Sequence, residues 1–191
     1  MQQTGEYHIG ADRDTVWKAL NDPDLLGECI AGCQSVEKID DEHFDITVKA
    51  RIGPVSATFR ASLELSDIEP PISYVINGNA KGGAAGFAKG SARVTLDEEG
   101  GKTVLRYGVD ANVGGKLAQI GSRLVDGASR KMADDFFTEF SLRLDPDAVT
   151  VDVRDRDEKA AGKSSEYESS GQMKIWLIAF GVLVLAAILT I

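Results

Sequence analysis

Between Cys33 and Val113 the chain alternates apolar and polar residues almost without a break, and after Gly114-Gly115 it stops doing so. Phe44, Ile46, Val48, Ala50 and Ile52 fall on one side, His43, Asp45, Thr47, Lys49 and Arg51 on the other. Val55, Ala57, Phe59, Ala61, Leu63 and Leu65 repeat the pattern beyond Gly53-Pro54. Tyr74, Ile76 and Gly78 follow Pro70-Pro71, and Thr103, Leu105, Tyr107, Val109, Ala111 and Val113 end the series. A period of two means strands with one buried face. The turns between them are too short for crossovers, so the six strands of this stretch form an antiparallel meander. Beyond Gly115 the apolar residues Leu117, Ile120, Leu124, Ala128, Met132, Phe136 and Phe140, with Gly121 among them, recur at spacings of three and four. That predicts one amphipathic helix of about 28 residues. Ahead of the meander, Thr4–Ile9 alternates as a first strand. Asp12 or Asp14 can cap a helix through Val16, Trp17 and Leu20, and Pro23 can open a short second one through Leu25 and Leu26. Residues 1–144 are therefore expected to be an α+β domain: a curved antiparallel sheet of about seven strands around a long C-terminal helix.

The stretch GNAKGGAAGFAKGSA (78–92) is the least bulky in the chain, with five glycines and five alanines. A phosphate-cradling loop needs Lys directly after Gly, but Lys81 and Lys89 both follow Ala, and no G-x-G-x-x-G precedes a helix pattern. From Ala88 onward Gly90, Ala92, Val94 and Leu96 alternate with Lys89, Ser91, Arg93 and Thr95. The stretch is a hairpin whose outgoing strand carries very small inner residues. Two readings of its tip stay open. Either Phe87 is an exposed anchor at the mouth of the domain, flanked by Lys81 and Lys89 as a local positive spot for an acidic partner or lipid headgroups, or it folds into the core of a tight turn.

A curved sheet on one helix encloses space that large side chains must fill. Here the inner faces mix aromatics (Phe44, Phe59, Tyr74, Tyr107) with small residues (Ala57, Ala61, Gly78, Gly90, Ala92), and the helix adds Gly121 and Ala128. Either the small residues let sheet and helix approach, or they leave an apolar cavity suited to a greasy ligand. The cavity reading places Ala57, Phe59, Ala61, Tyr74, Ile76, Ala92, Tyr107, Ile120 and Leu124 on its wall, with Phe87 at its mouth.

Charge narrows the partners. The net charge of the 191 residues is −9, of which −6 lies in 1–144 and −3 in 145–191. Binding to nucleic acid by counterion release is excluded as an expectation, and loose electrostatic binding to anionic lipid is disfavoured. Cys29 and Cys33 are separated by three residues, with only His8 and His43 to help them, which is too few ligands for a zinc site. The start, MQQTGEYHIG, has no basic n-region or apolar run, so no signal peptide is expected. Residues 145–174 are charged, Ser/Gly-rich and poor in large apolar residues, hence a flexible tether. Ile175–Ile191 (IWLIAFGVLVLAAILTI) carries no charge; as a helix it would span roughly 26 Å, at the short edge of a membrane crossing. A C-terminal membrane anchor is expected there.

Four segments carry a resemblance: NDPDLLGECIAGC (21–33), RIGPVSATFRASLEL (51–65), GNAKGGAAGFAKGSARVTL (78–96) and GGKLAQIGSRLVDGASRKMADDFFTEF (114–140). Taken in order they resemble the G subunit of carbon monoxide dehydrogenase, within the START-like (SRPBCC, polyketide cyclase) superfamily of helix-grip folds. One departure is Ala31, where that family is expected to carry Pro. The resemblance implies a non-catalytic accessory protein. It would recruit molybdenum-containing CO dehydrogenase, or a related hydroxylase, to the cytoplasmic membrane and hold respiratory quinone as a non-covalent ligand.

The residues themselves leave two other readings: a carrier of another lipid or hydrophobic metabolite, and a cyclase-like enzyme. The enzyme reading needs polar inner-face groups to move protons. Only Tyr74, Tyr107 and Thr103 qualify, and no Ser-His-Asp set, paired inner carboxylates or metal cluster accompanies them.

Overall fold

A computed structural model describes residues 1–145. The tether and the membrane anchor expected at 145–174 and 175–191 lie outside the described residues, apart from Asp145. The elements run β1 (Gln2–Ile9), α1 (Arg13–Leu20), α2 (Pro23–Cys29), β2 (Cys33–Lys38), β3 (His43–Ile52), β4 (Val55–Glu69), β5 (Ser73–Lys81), β6 (Phe87–Glu99), β7 (Lys102–Gly114), α3 (Lys116–Gln119) and α4 (Ser122–Leu144). All seven strands lie in one antiparallel sheet, in the order β1-β7-β6-β5-β4-β3-β2. The first strand thus pairs with the last, Gly5 opposite Tyr107 and Ile9 opposite Thr103. β2 through β7 form the predicted meander.

The helices at the front start where the sequence says. Asp12 accepts from Thr15 N at 2.9 Å and from its hydroxyl at 2.7 Å, and Asp22 accepts from Asp24 N and Leu25 N. Each cap satisfies backbone donors that the first turn leaves free.

The C-terminal helix departs from expectation. It is two helices, α3 and α4, separated at Ile120-Gly121. Gly121 has φ +91°, a conformation that an α-helix cannot contain, so the helical phase restarts there. The restart rotates the inner face by one position. Val125 and Ser129 are buried, whereas Leu124 is 53% exposed and Ala128 half-buried. From Met132 onward the expected stripe returns, widened by Ala133 and Phe137.

Phe136 and Phe140 stack at 5.6 Å, and Phe137 stands edge-on to Phe136 at 5.0 Å. With Val48, Ile52, Leu96 and Leu105 of the sheet they belong to one contiguous apolar core. Removing a fully buried ring such as Phe140 from it would cost about 3–5 kcal/mol.

Candidate functional site: the apolar interior and its rim

Register puts the predicted small residues side by side on the inner face. Ala61 opposes Ala80, Leu63 opposes Gly78, Ile76 opposes Ala92, and Gly90 opposes Ala111. Phe59, Ala61, Tyr74, Ile76, Ala92 and Tyr107 are buried in the same cluster, with Ala57 and Ile120 half-buried against it. Of the predicted wall, Leu124 alone falls outside, because of the phase shift at Gly121. Phe87, expected at the mouth rather than on the wall, is 47% exposed and lies on the outer face, its ring over Gly114. The core-packed reading of Phe87 is therefore not what the fold adopts.

Half-buried apolar residues gather at one end of the domain. The β3–β4 turn at Gly53-Pro54, the β5–β6 tip and the α3–α4 segment meet there, and α3 touches both β7 and the tip. Val55, Ala57, Val113, Ile120 and Ala128 are apolar and half-buried around this rim. A side chain at Gly53 would sit 3.8 Å from Leu124 Cδ1, so Leu124 belongs to the same rim. The glycines of the tip serve close approach. A Cβ on Gly82 would strike the ring of Phe59, and one on Gly86 would strike the backbone of Gly114. Side chains at either place would push the tip off the sheet.

Deeper in, β1 supplies residues that the sequence reasoning did not select. Gly5 has no side chain, and the Tyr107 ring lies across it. Gln3 donates to the Tyr107 hydroxyl at 3.1 Å in a buried setting. Tyr7 stacks on Phe137 at 4.1 Å and donates to Asp134 at 2.7 Å. Alternation in Thr4–Ile9 was the signal available for Tyr7, which shares the inner parity of Gly5 and Ile9. Tyr74 lies apart, edge-on to Trp17 at 5.2 Å, and no hydrogen bond among the described residues holds its hydroxyl.

Burial pushes all three phenols above the ordinary tyrosine range. For Tyr7, neighbouring Tyr107 and Asp134 add to the effect; for Tyr74, burial acts alone; for Tyr107, the Gln3 bond partly opposes it. They stay protonated near neutral pH and can donate hydrogen bonds. His8 and His43 are on the outside, beside Glu6 and Asp40.

Among the described residues no group of three or more His, Cys, Asp or Glu is placed to hold a metal, and no helix is long and apolar enough to cross a membrane. Two clefts, of about 580 and 470 Å³, open along β1, β7 and β6. Their lining is mostly outer-face, including Thr4, Arg93 and Gly108, and Tyr107 is the one predicted wall residue among it.

A seven-stranded antiparallel sheet closed over a C-terminal helix, with an apolar interior, is the START-like helix-grip architecture. Within it, the chain belongs to the CoxG family, that of the G subunit of carbon monoxide dehydrogenase, whose model matches residues 5–145. A conserved protein of known structure from Geobacillus kaustophilus is 31% identical, with a TM-score of 0.71, the match covering 75% of this chain and 95% of that one. An uncharacterized protein from Rhizobium leguminosarum (15% identity, TM-score 0.59, covering 77% and 95%) shares the fold. So does TTHA0849 from Thermus thermophilus (12% identity, TM-score 0.59, covering 78% and 100%). No curated protein matches the chain.

Proposed function

We propose that this is a membrane-tethered accessory protein of a CO dehydrogenase-type molybdenum hydroxylase. It recruits that enzyme to the cytoplasmic face of the membrane and holds a hydrophobic ligand, respiratory quinone, to pass electrons to the membrane pool. The observation that carries the ligand part is the half-buried apolar rim, continuous in one apolar cluster with Ala57, Phe59, the small inner residues and the buried tyrosines. An apolar wall with a few convergent polar donors is what a ring bearing carbonyl oxygens requires. Tyr74 is buried as a residue, and its hydroxyl, which makes no hydrogen bond among the described residues, is the donor left to meet one. The recruitment part rests on family membership. The reading is non-enzymatic: the phenols of Tyr74 and Tyr107 are held protonated, and among the described residues no base accepts from either.

The test is an organic extract of full-length protein purified from its own cell membranes, analysed by mass spectrometry for quinones. Stoichiometric quinone is expected. Another lipid in its place would make the protein a carrier of that lipid, and an empty extract would remove the ligand altogether. The membrane part is tested on whole cells: the full chain should sediment with membranes, and a chain ending at Gly171 should not.

A further inference from the structure

The charges of this acidic protein are not evenly spread. Acidic residues crowd the end away from the rim: Asp40, Asp41 and Glu42 between β2 and β3, Glu69 closing β4, and Glu98 and Glu99 closing β6. Towards the rim, the outer face of the sheet is basic. Arg60, Lys81 and Phe87 stand directly opposite one another across β4, β5 and β6. Lys89 lies in the adjacent row, opposite Asn79 and Asn112, and Lys49 one row nearer the rim. All five side chains are exposed. Among the described residues Lys49, Arg60, Lys81 and Lys89 make no ion pair, whereas Arg93, Arg106 and Arg143 all do. The carboxylates nearest in register are Asp45 on β3 and Asp110 on β7, the latter accepting from Gln2.

We infer that this face, Lys49, Arg60, Lys81 and Lys89 around the exposed ring of Phe87, docks the domain on the anionic headgroups of a membrane. Unpaired cations around one exposed aromatic are the composition of an interfacial anchor, in which the apolar ring inserts at the boundary of headgroups and acyl chains and the cations meet phosphate. A protein partner is the poorer fit. Protein interfaces are depleted in lysine, yet three of these four cations are lysine, and a single ring rather than an apolar patch lies between them. The face borders the rim, so docking would bring the half-buried apolar residues of the rim towards the bilayer. This deepens the membrane part of the function proposed above. It sets the local charge of this face against the expectation, drawn from net charge, that anionic lipid is disfavoured, and chooses lipid headgroups over an acidic partner at Lys81 and Lys89.

The experiment uses the full chain and vesicles of phosphatidylcholine, with or without phosphatidylglycerol, in a flotation assay at low and high salt. An apolar tail would bind both vesicles alike, so the preference for phosphatidylglycerol isolates this face. Each cation near an anionic surface is worth about fivefold in affinity, so Lys81→Gln with Lys89→Gln should weaken phosphatidylglycerol binding about 30-fold. Phosphatidylcholine binding should not change, and the preference should fade as salt screens it. A matched pair at the far end, Lys18→Gln with Lys102→Gln, removes the same charge and should leave the preference intact. Equal binding to the two vesicles, or equal losses in the two variant pairs, would overturn the inference. So would an unchanged preference accompanied by lost recruitment of the partner enzyme, which would assign the face to a protein. A protein that prefers phosphatidylglycerol but yields no quinone would refute the ligand reading alone.

Discussion

Gly5 is where the interior can be tested most directly. A Cβ added there would lie 2.5 Å from Tyr107 Cζ and 2.6 Å from its hydroxyl oxygen, when ordinary contacts begin near 3.4 Å. The alanine cannot be accommodated unless the tyrosine ring moves by roughly the 1 Å shortfall, an overpacking that costs about 1–3 kcal/mol. Moving the ring also strains the bond from Gln3, worth about 0.5–1.5 kcal/mol net. Offsetting this, alanine limits the unfolded chain and returns about 0.4–1 kcal/mol. Gly5→Ala should therefore destabilise the domain by about 2–3 kcal/mol, read as a shift in urea midpoint at unchanged slope.

The attribution to Tyr107 is checked by a double-mutant cycle. Tyr107→Val alone leaves a cavity and is destabilising. Combined with Gly5→Ala, the clash has no partner, so the double variant should be more stable than the sum of the singles by at least about 1 kcal/mol. A Gly5→Ala protein within about 0.5 kcal/mol of wild type, or strict additivity, would refute the ring placement and the reading of β1 as part of the interior wall.

Ala31 occupies the second position of a turn in which Cys33 N donates to Ile30 O at 3.0 Å, and Gly32 at the third position has φ +78°, the type II arrangement that favours proline in second place. Ala31→Pro should raise stability by about 0.4–1 kcal/mol by differential scanning calorimetry, since no hydrogen bond from its backbone N–H is lost. Burial, with Glu139 nearby, pushes the Cys29 thiol up to about 12, so native protein at pH 8 should alkylate there far more slowly than urea-unfolded protein. Because the folded state holds that proton longer than the unfolded state, the contribution of Cys29 to stability is complete below about pH 8.5 and declines as pH rises towards 12. Cys29→Ala should therefore flatten the alkaline limb of the stability–pH curve. Phe87→Ala should lower stability by about 1–2 kcal/mol, below the 3–5 kcal/mol of a core phenylalanine, because half its surface is exposed already.

Most of the fold was legible because the meander has one wet face. Residues such as Lys49, Arg51 and Arg60 cannot turn inward, so a shift of one residue in register would bury them, and alternation fixes which side faces in. That is why Ala61, Ile76, Ala92 and Tyr107 could be placed on the inner face from spacing alone. The helix was less legible because its period is read by averaging over turns. Leu117, Ile120 and Leu124 continue a three-and-four pattern straight through Gly121, although the backbone there leaves the helix. Glycine is tolerated inside helices at modest cost, so nothing local distinguished a break from a weak turn. Phe137 was missed for a related reason: a stripe drawn through Phe136 and Phe140 is too narrow for a helix that a curved sheet grips on two sides.

The small residues leave a question that pattern cannot decide, because alanine on an inner face reads alike whether it borders a cavity or admits a neighbour. The structure divides them by place. At the tip, Gly82 and Gly86 are small because Phe59 and the Gly114 backbone lie where their side chains would be. On the inner face, Ala61 and Ala92 oppose Ala80 and Ile76 in the deep, buried part of the sheet. There volume can be added as a test. Ala61→Trp or Ala92→Phe would fill any space a ligand uses, so a cavity predicts protein that still folds but is purified without its ligand. If sheet and helix are already in full contact, the same substitutions strain the core by about 1–3 kcal/mol. An extract with undiminished ligand, from a variant with a lowered melting temperature, would show that these alanines serve packing and that any ligand sits elsewhere.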